Sequence, residues 1–138
     1  MPPRFLYNLL TIIPRWWHRH GFGIQSPSDY ELVRDVLFES LPYYAYDEQH
    51  LTTPAARQLY RIRLWKPDTR IVNSTDEYTR AAATATDDTA LVVEDISGQN
   101  APLWHRILQD DRARVTFDMR HRGLVLFNSK RFKQNYLL

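Results

Sequence analysis

Between Ala90 and Ile96 the chain reads Ala-Leu-Val-Val-Glu-Asp-Ile, an apolar run, β-branched at its centre, that stops at two carboxylates. Apolar residues at successive rather than alternate positions mark a strand covered on both faces, the setting of an α/β sheet. Arg70 to Asn73 predicts a shorter strand before it. Val115 to Met119 and Leu124 to Phe127 predict two more, joined through Arg120-His121-Arg122-Gly123 as an antiparallel hairpin.

The other apolar positions recur at helical spacing. Arg4 to His20 predicts a helix kinked or ended at Pro14, with Trp16 and Trp17 beside Arg15 and Arg19. That aromatic–basic cluster fits packing on the domain, or contact with a partner helix or a membrane surface. Ser26-Pro27 caps a second helix to about Glu39, with Tyr30, Val33 and Leu37 on one face. Tyr43, Tyr44 and Tyr46 lie in an aromatic connection expected to cover a core edge with its hydroxyls in water. Thr53-Pro54 opens a helix to about Trp65, burying Leu59 and Ile62 and turning Arg57, Arg61 and Arg63 outward. Ser74 with Glu77 forms a capping box for a helix to about Thr84, and Ala101 to Leu108 supplies the last helix.

Helices followed by β-α-β-α-β-β predict an α/β fold: a reduced Rossmann-like sheet of about four strands with a C-terminal antiparallel hairpin, behind an N-terminal helical extension. Residues 1–50 form the extension and 51–138 the α/β domain, expected to pack as one compact unit. A sheet this small leaves strand edges open, so covering by the N-terminal helices, by a second copy in a homodimer or by another protein is expected.

Composition narrows the chemistry. The 138 residues are 43% hydrophobic and 25% charged, ordinary values for a globular protein. There is no cysteine, which excludes disulfides, zinc–thiolate sites, iron–sulfur clusters and cysteine nucleophiles, and fits a cytoplasmic location. Phe5 to Ile13 is followed by Trp16, Trp17 and His18 rather than by a small-residue cleavage site, so no signal peptide is expected. No run approaches the ~20 apolar residues of a membrane span.

The net charge of +2 is unevenly spread: +3 over residues 1–20, +6 over 112–138, and −7 between them. Arg120, Arg122, Lys130, Arg131 and Lys133 in the basic tail are candidate contacts to nucleic acid or another anionic surface.

The four glycines, at 21, 23, 98 and 123, form no phosphate loop or dinucleotide fingerprint. No serine sits in a nucleophile elbow, and His18 and His20 are not spaced as a helical metal pair. No catalytic residue is therefore assigned. Glu94 and Asp95 stand where α/β sheets place their ligands, beyond the carboxyl end of a strand. Within a strand they point to opposite faces, but at its end both can approach one hard cation, given further oxygen ligands.

His20-Gly-Phe-Gly-Ile-Gln-Ser-Pro27, followed by a tyrosine-bearing helix and Pro42-Tyr43-Tyr44, resembles the N-terminal extension of a bacterial family of class I S-adenosylmethionine-dependent methyltransferases. Leu91 to Ile96 resembles that family's fifth strand, with its two closing acids. Val115-Thr-Phe-Asp118 and Gly123-Leu-Val-Leu-Phe127 resemble its sixth and seventh strands. The resemblance spans roughly residues 18–66 and 89–128. It implies a methyltransferase-like fold, and it implies that Glu94 and Asp95 occupy the place of a divalent-cation pair.

The family's glycine motif after the first strand, which cradles the cofactor, has no counterpart. Ser74-Thr75-Asp76-Glu77 follows Asn73, and the sixteen residues from Ser74 to Thr89 leave room for one helix. Glycine permits the close backbone approach such a cradle needs. The expectation is a domain that has lost S-adenosylmethionine binding and acts as a non-catalytic interaction or structural protein. The alternatives are a methyltransferase whose cofactor site is atypical or completed by another subunit, and a binder of anionic surfaces.

Overall fold

The computed structural model describes residues 27–39 and 44–138. The expectations for Arg4 to His20, for the His20–Pro27 segment up to Ser26, and for the covering of a sheet edge by the N-terminal helix lie outside the described residues. The chain forms two compact units, Met1–Pro67 and Asp68–Leu138.

In the first unit, α1 (Pro27–Glu31) continues into a π-helical stretch, Leu32–Leu37, in which Phe38 N donates to Val33 O over 3.0 Å, five residues back. Leu32, Val33 and Leu37 are buried, and so is Asp29. A short helix, α2 (Tyr44–Glu48), replaces the aromatic connection expected there. Tyr46 is buried within it rather than turned to water.

α3 (Pro54–Trp65) begins as the sequence predicts: the Thr53 side chain accepts from Ala56 N at 3.1 Å, and Pro54 occupies the first turn. Arg63 is exposed as expected, but Arg57 and Arg61 depart from expectation. Arg57 donates to Leu51 O at 2.9 Å and lies over the Tyr46 ring. Arg61 donates to Val36 O, to Leu37 O at 2.9 Å and to the Tyr46 hydroxyl at 3.0 Å. The last carbonyls of the π-helical stretch need donors, and a guanidinium offers five in a fixed fork. Satisfying them outweighs leaving Arg61 in water, as satisfying the Leu51 carbonyl does for Arg57. The exposed apolar residues are instead Leu64 and Trp65.

The second unit is a five-stranded mixed sheet with two helices. Its strands are β1 (Arg70–Val72), β2 (Ala90–Glu94), β3 (Val115–Asp118), β4 (Arg122–Leu126) and β5 (Gln134–Leu137), in the order β1-β2-β4-β3-β5. β1 runs parallel to β2, β4 lies antiparallel between β2 and β3, and β5 lies parallel to β3. The fold is therefore α/β, with one strand more than the four expected, and the β3–β4 hairpin is not the final element. β5 reads Gln-Asn-Tyr-Leu, without a two-residue apolar alternation. Tertiary contacts hold it: the Tyr136 ring stacks on Phe117 at 5.2 Å, and the Thr116 hydroxyl donates to Asn135 Oδ1 at 2.7 Å.

Helices α4 (Thr75–Ala83) and α5 (Ala101–Leu108) line one face of the sheet. Tyr78, Ala81, Ala82, Leu103, Trp104 and Ile107 from the helices share one core with Val72, Leu91, Val93 and Val125. Val92, Leu124, Val115 and Phe117, on the opposite face, are also fully buried. β2 is thus apolar on both sides, as its unbroken run requires.

Gly123 belongs to β4 rather than to the turn, which is Met119–His121 with Arg120 in the left-handed region at φ 74°. Its missing side chain makes room for Trp104: a Cβ there would lie 2.3 Å from the indole Cζ3. Among the described residues no helix is long and apolar enough to cross a membrane.

Candidate functional site

The carboxyl ends of the parallel pair β1 and β2 are where an α/β sheet receives a ligand. At the end of β1 the chain enters α4 through Ser74, whose hydroxyl accepts from Glu77 N at 3.2 Å. Glu77 reaches back, and its Oε2 accepts from Asn73 N at 2.9 Å. This is the capping box the sequence predicts, displaced by one residue on its return bond. Free helix-terminal N–H groups are what attract an anion. Here the Ser74 side chain occupies one of them, Glu77 N, while Glu77 takes the Asn73 N–H just before the helix, and Asp76 and Glu77 supply the negative charge that the dipole favours.

At the end of β2, Glu94 and Asp95 separate. Glu94 is the register partner of Arg122, and its Oε1 accepts from Arg122 Nε at 2.6 Å. The Arg122 side chain is only 8% exposed, while that of Glu94 is 35% exposed, so the cation of this pair is the buried member. Asp95 leaves the strand with φ 52°, a left-handed conformation that Asn and Asp tolerate better than most residues. Its backbone carbonyl accepts from Gly98 N and Asn100 N, both at 3.1 Å, and its Oδ2 accepts from Gln99 N at 2.9 Å. A Cβ at Gly98 would meet Asp95 Oδ1 at 2.5 Å, so any side chain there would push the Asp95 carboxylate from its place. Asn100, before α5, turns its amide away from the helix and donates to Glu94 O at 2.8 Å.

One carboxylate is therefore held by a buried cation and the other folds its own loop. No group of three or more His, Asp or Glu placed to hold a metal ion occurs among the described residues. Arg122, singled out in the sequence only as a candidate anion contact, is instead Glu94's partner. Its signal was its place at the start of the strand that pairs with β2, legible only once that pairing is known.

The five candidate anion contacts do not form one cluster. Arg120 and Arg122 lie at the β3–β4 turn, while Lys130, Arg131 and Lys133 follow β4 at the other end of the sheet. Lys133 sits half-buried on the loop before β3, its Nζ donating to Asp110 O at 2.6 Å and to Ala113 O. Burial lowers its pKa. Arg114 Nε donates to Arg131 O at 2.9 Å.

A cavity of about 560 Å³ opens beside this loop, lined by Ala82, Ala85, Asp87, Arg112, Arg114 and Phe127 among others. Its charges are largely spent. Asp87 accepts from Ser129 N and Oγ at 3.0 and 2.8 Å, which holds its carboxyl below the usual range. Arg112 forms a two-point pair with Asp110 at 3.1 and 2.9 Å, and Asp110 also accepts from the Tyr78 hydroxyl at 2.8 Å. Burial alone would raise the Asp110 carboxyl, but the Arg112 and Tyr78 hydrogen bonds and the Arg112 charge outweigh it and bring it to about 2. Burial first, and Asp110 second, push the Tyr78 hydroxyl up.

Comparison of the chain with protein-family models, with curated proteins and with solved structures returns no match.

Proposed function

We propose that the chain is a methyltransferase-like, Rossmann-like protein that has lost S-adenosylmethionine binding and works as a non-catalytic interaction or structural protein. The observation that carries this reading is that the groups at the carboxyl ends of β1 and β2 are spent on the protein itself. Ser74 and Glu77 cap α4, Glu94 is held by Arg122, and Asp95 closes the loop to Asn100. A cofactor cradle needs backbone that a ligand can approach and N–H groups it can use. The Asn73–Glu77 turn has no glycine and directs two of those N–H groups at its own side chains, so the residues present do not fit the methionine part of S-adenosylmethionine.

In this reading Glu94 and Asp95 are the remnant of an ancestral site, and the partner is a second copy or another protein on an open sheet edge. Isothermal titration of the full chain with S-adenosylmethionine is the test. No heat up to millimolar cofactor is expected. Saturable micromolar binding would overturn the reading and favour a methyltransferase with an atypical site.

A further inference from the structure

The segment between β4 and β5 reads Ser129-Lys130-Arg131-Phe132-Lys133, and Phe132 is 86% exposed, more than any other large apolar residue described. A single exposed apolar residue is unremarkable on a surface. This one differs in being held out by a pinned loop. Ser129 is tied to Asp87 through both its N–H and its hydroxyl. Arg131 N donates to Asn128 O at 3.0 Å, and Arg131 O accepts from Arg114. Lys133 is anchored on two backbone carbonyls. Bonds on both sides of Phe132 thus keep the loop from folding its ring inward. Lys130 is exposed beside it.

An apolar ring flanked by cations suits an interface that is oily below and anionic above. Single-stranded nucleic acid is the rival, because it too is met by cations and aromatics. It is bound, however, on platforms where successive bases stack on several rings. Tyr136, on the strand that follows, is already stacked on Phe117, and no ring partner of Phe132 occurs among the described residues.

We propose that the Lys130–Lys133 loop docks on an anionic lipid surface, with Phe132 entering the acyl boundary and the exposed Lys130 meeting the headgroup phosphates. A basic residue near such a surface is worth about fivefold in partitioning, and partial burial of a phenyl ring about tenfold. The proposal is independent of whether the chain binds S-adenosylmethionine.

The test is co-sedimentation of the full chain with phosphatidylserine–phosphatidylcholine vesicles and with pure phosphatidylcholine vesicles. Binding to the anionic vesicles should exceed binding to the neutral ones and weaken with added salt. It should fall about tenfold in Phe132→Ala and about fivefold or more in Lys130→Gln, while both variants melt like the parent. Phe132→Trp should add a blue-shifted emission on vesicle binding. No sedimentation with anionic vesicles, equal sedimentation with neutral ones, or binding unchanged by Phe132→Ala would each overturn the proposal. So would a single-stranded oligonucleotide whose binding depends on Phe132 while vesicles are ignored, which would assign the loop to nucleic acid.

Discussion

Substituting Gly123 by alanine tests the packing of the second unit at its tightest point. Gly123 lies in β4 opposite Val93 of β2 and Asp118 of β3, with the Trp104 indole against its Cα. An added Cβ would stand 2.3 Å from Cζ3 and 2.4 Å from Cη2. Carbon atoms at rest sit ~3.5–4.0 Å apart, so ring and strand must separate by more than about 1 Å. Trp104 is 4% exposed and shares its core with Val93, Leu103 and Val125, so that movement displaces its neighbours as well. Overpacking of this kind costs about 1–3 kcal/mol, here towards the upper end. Alanine recovers about 0.4–1 kcal/mol by restricting the unfolded chain. The net expectation is a loss of about 2 kcal/mol, read by urea denaturation followed by far-ultraviolet circular dichroism. Trp104→Leu removes the clashing atoms at its own cost, and in that background Gly123→Ala should cost almost nothing. A coupling of about 2 kcal/mol is therefore expected between the two sites. A Gly123→Ala protein within about 0.5 kcal/mol of the parent, or two effects that simply add, would refute the argument.

The Glu94–Arg122 pair should break asymmetrically. Glu94→Ala takes the carboxylate from a buried guanidinium and should cost about 2–3 kcal/mol, whereas Arg122→Met leaves a carboxylate 35% exposed to water and should cost about 1 kcal/mol; equal losses in urea denaturation would contradict the burial argument. Arg61→Ala removes three donors from Val36, Leu37 and Tyr46, for about 2–3 kcal/mol, and Arg61→Lys should not restore them because an ammonium cannot span the three acceptors. Asp110 sets an acid limb. Its carboxyl is held at about 2 against an ordinary 3.8, so the unfolded chain takes up a proton first. Its contribution is complete above about pH 4 and lost as pH falls towards 2. Asp110→Asn should flatten melting temperature against pH in that window, and an unchanged slope would remove Asp110 from the account.

The parts legible in the sequence were those whose cause is local. The β2 run, the Thr53-Pro54 and Ser74–Glu77 caps, and the stop at Lys66-Pro67 depend on residues within a few positions of one another, and each stands where the pattern places it. The parts missed have distant causes. β5 is a strand because Phe117 and Thr116 receive Tyr136 and Asn135. Arg57 and Arg61 look like an outward face until the carbonyls of Leu51, Val36 and Leu37 arrive beside them. Gly123 reads as a turn residue because glycine usually is one, yet here it answers to an indole nineteen positions earlier in the chain. At the candidate site the sequence located Glu94 and Asp95 but could not reveal that both were engaged, since Glu94's partner comes from another strand.

The ion pair between β2 and β4 also guards against slippage. A strand with one wet face finds its register from its own alternation, because a shift of one residue turns every apolar side chain outward. β2 and β4 lack that protection. Ala90 to Val93 and Leu124 to Phe127 are apolar throughout, so a shifted alignment would still bring oil against oil. Two features break the degeneracy. Glu94 meets Arg122 in only one alignment, and a two-residue slip would leave that buried cation facing an apolar strand. On the other face, Gly123 alone can admit Trp104. The pair acts as an index mark on an otherwise smooth rule, and replacing both charges by leucine would keep the stability of the sheet while loosening its alignment.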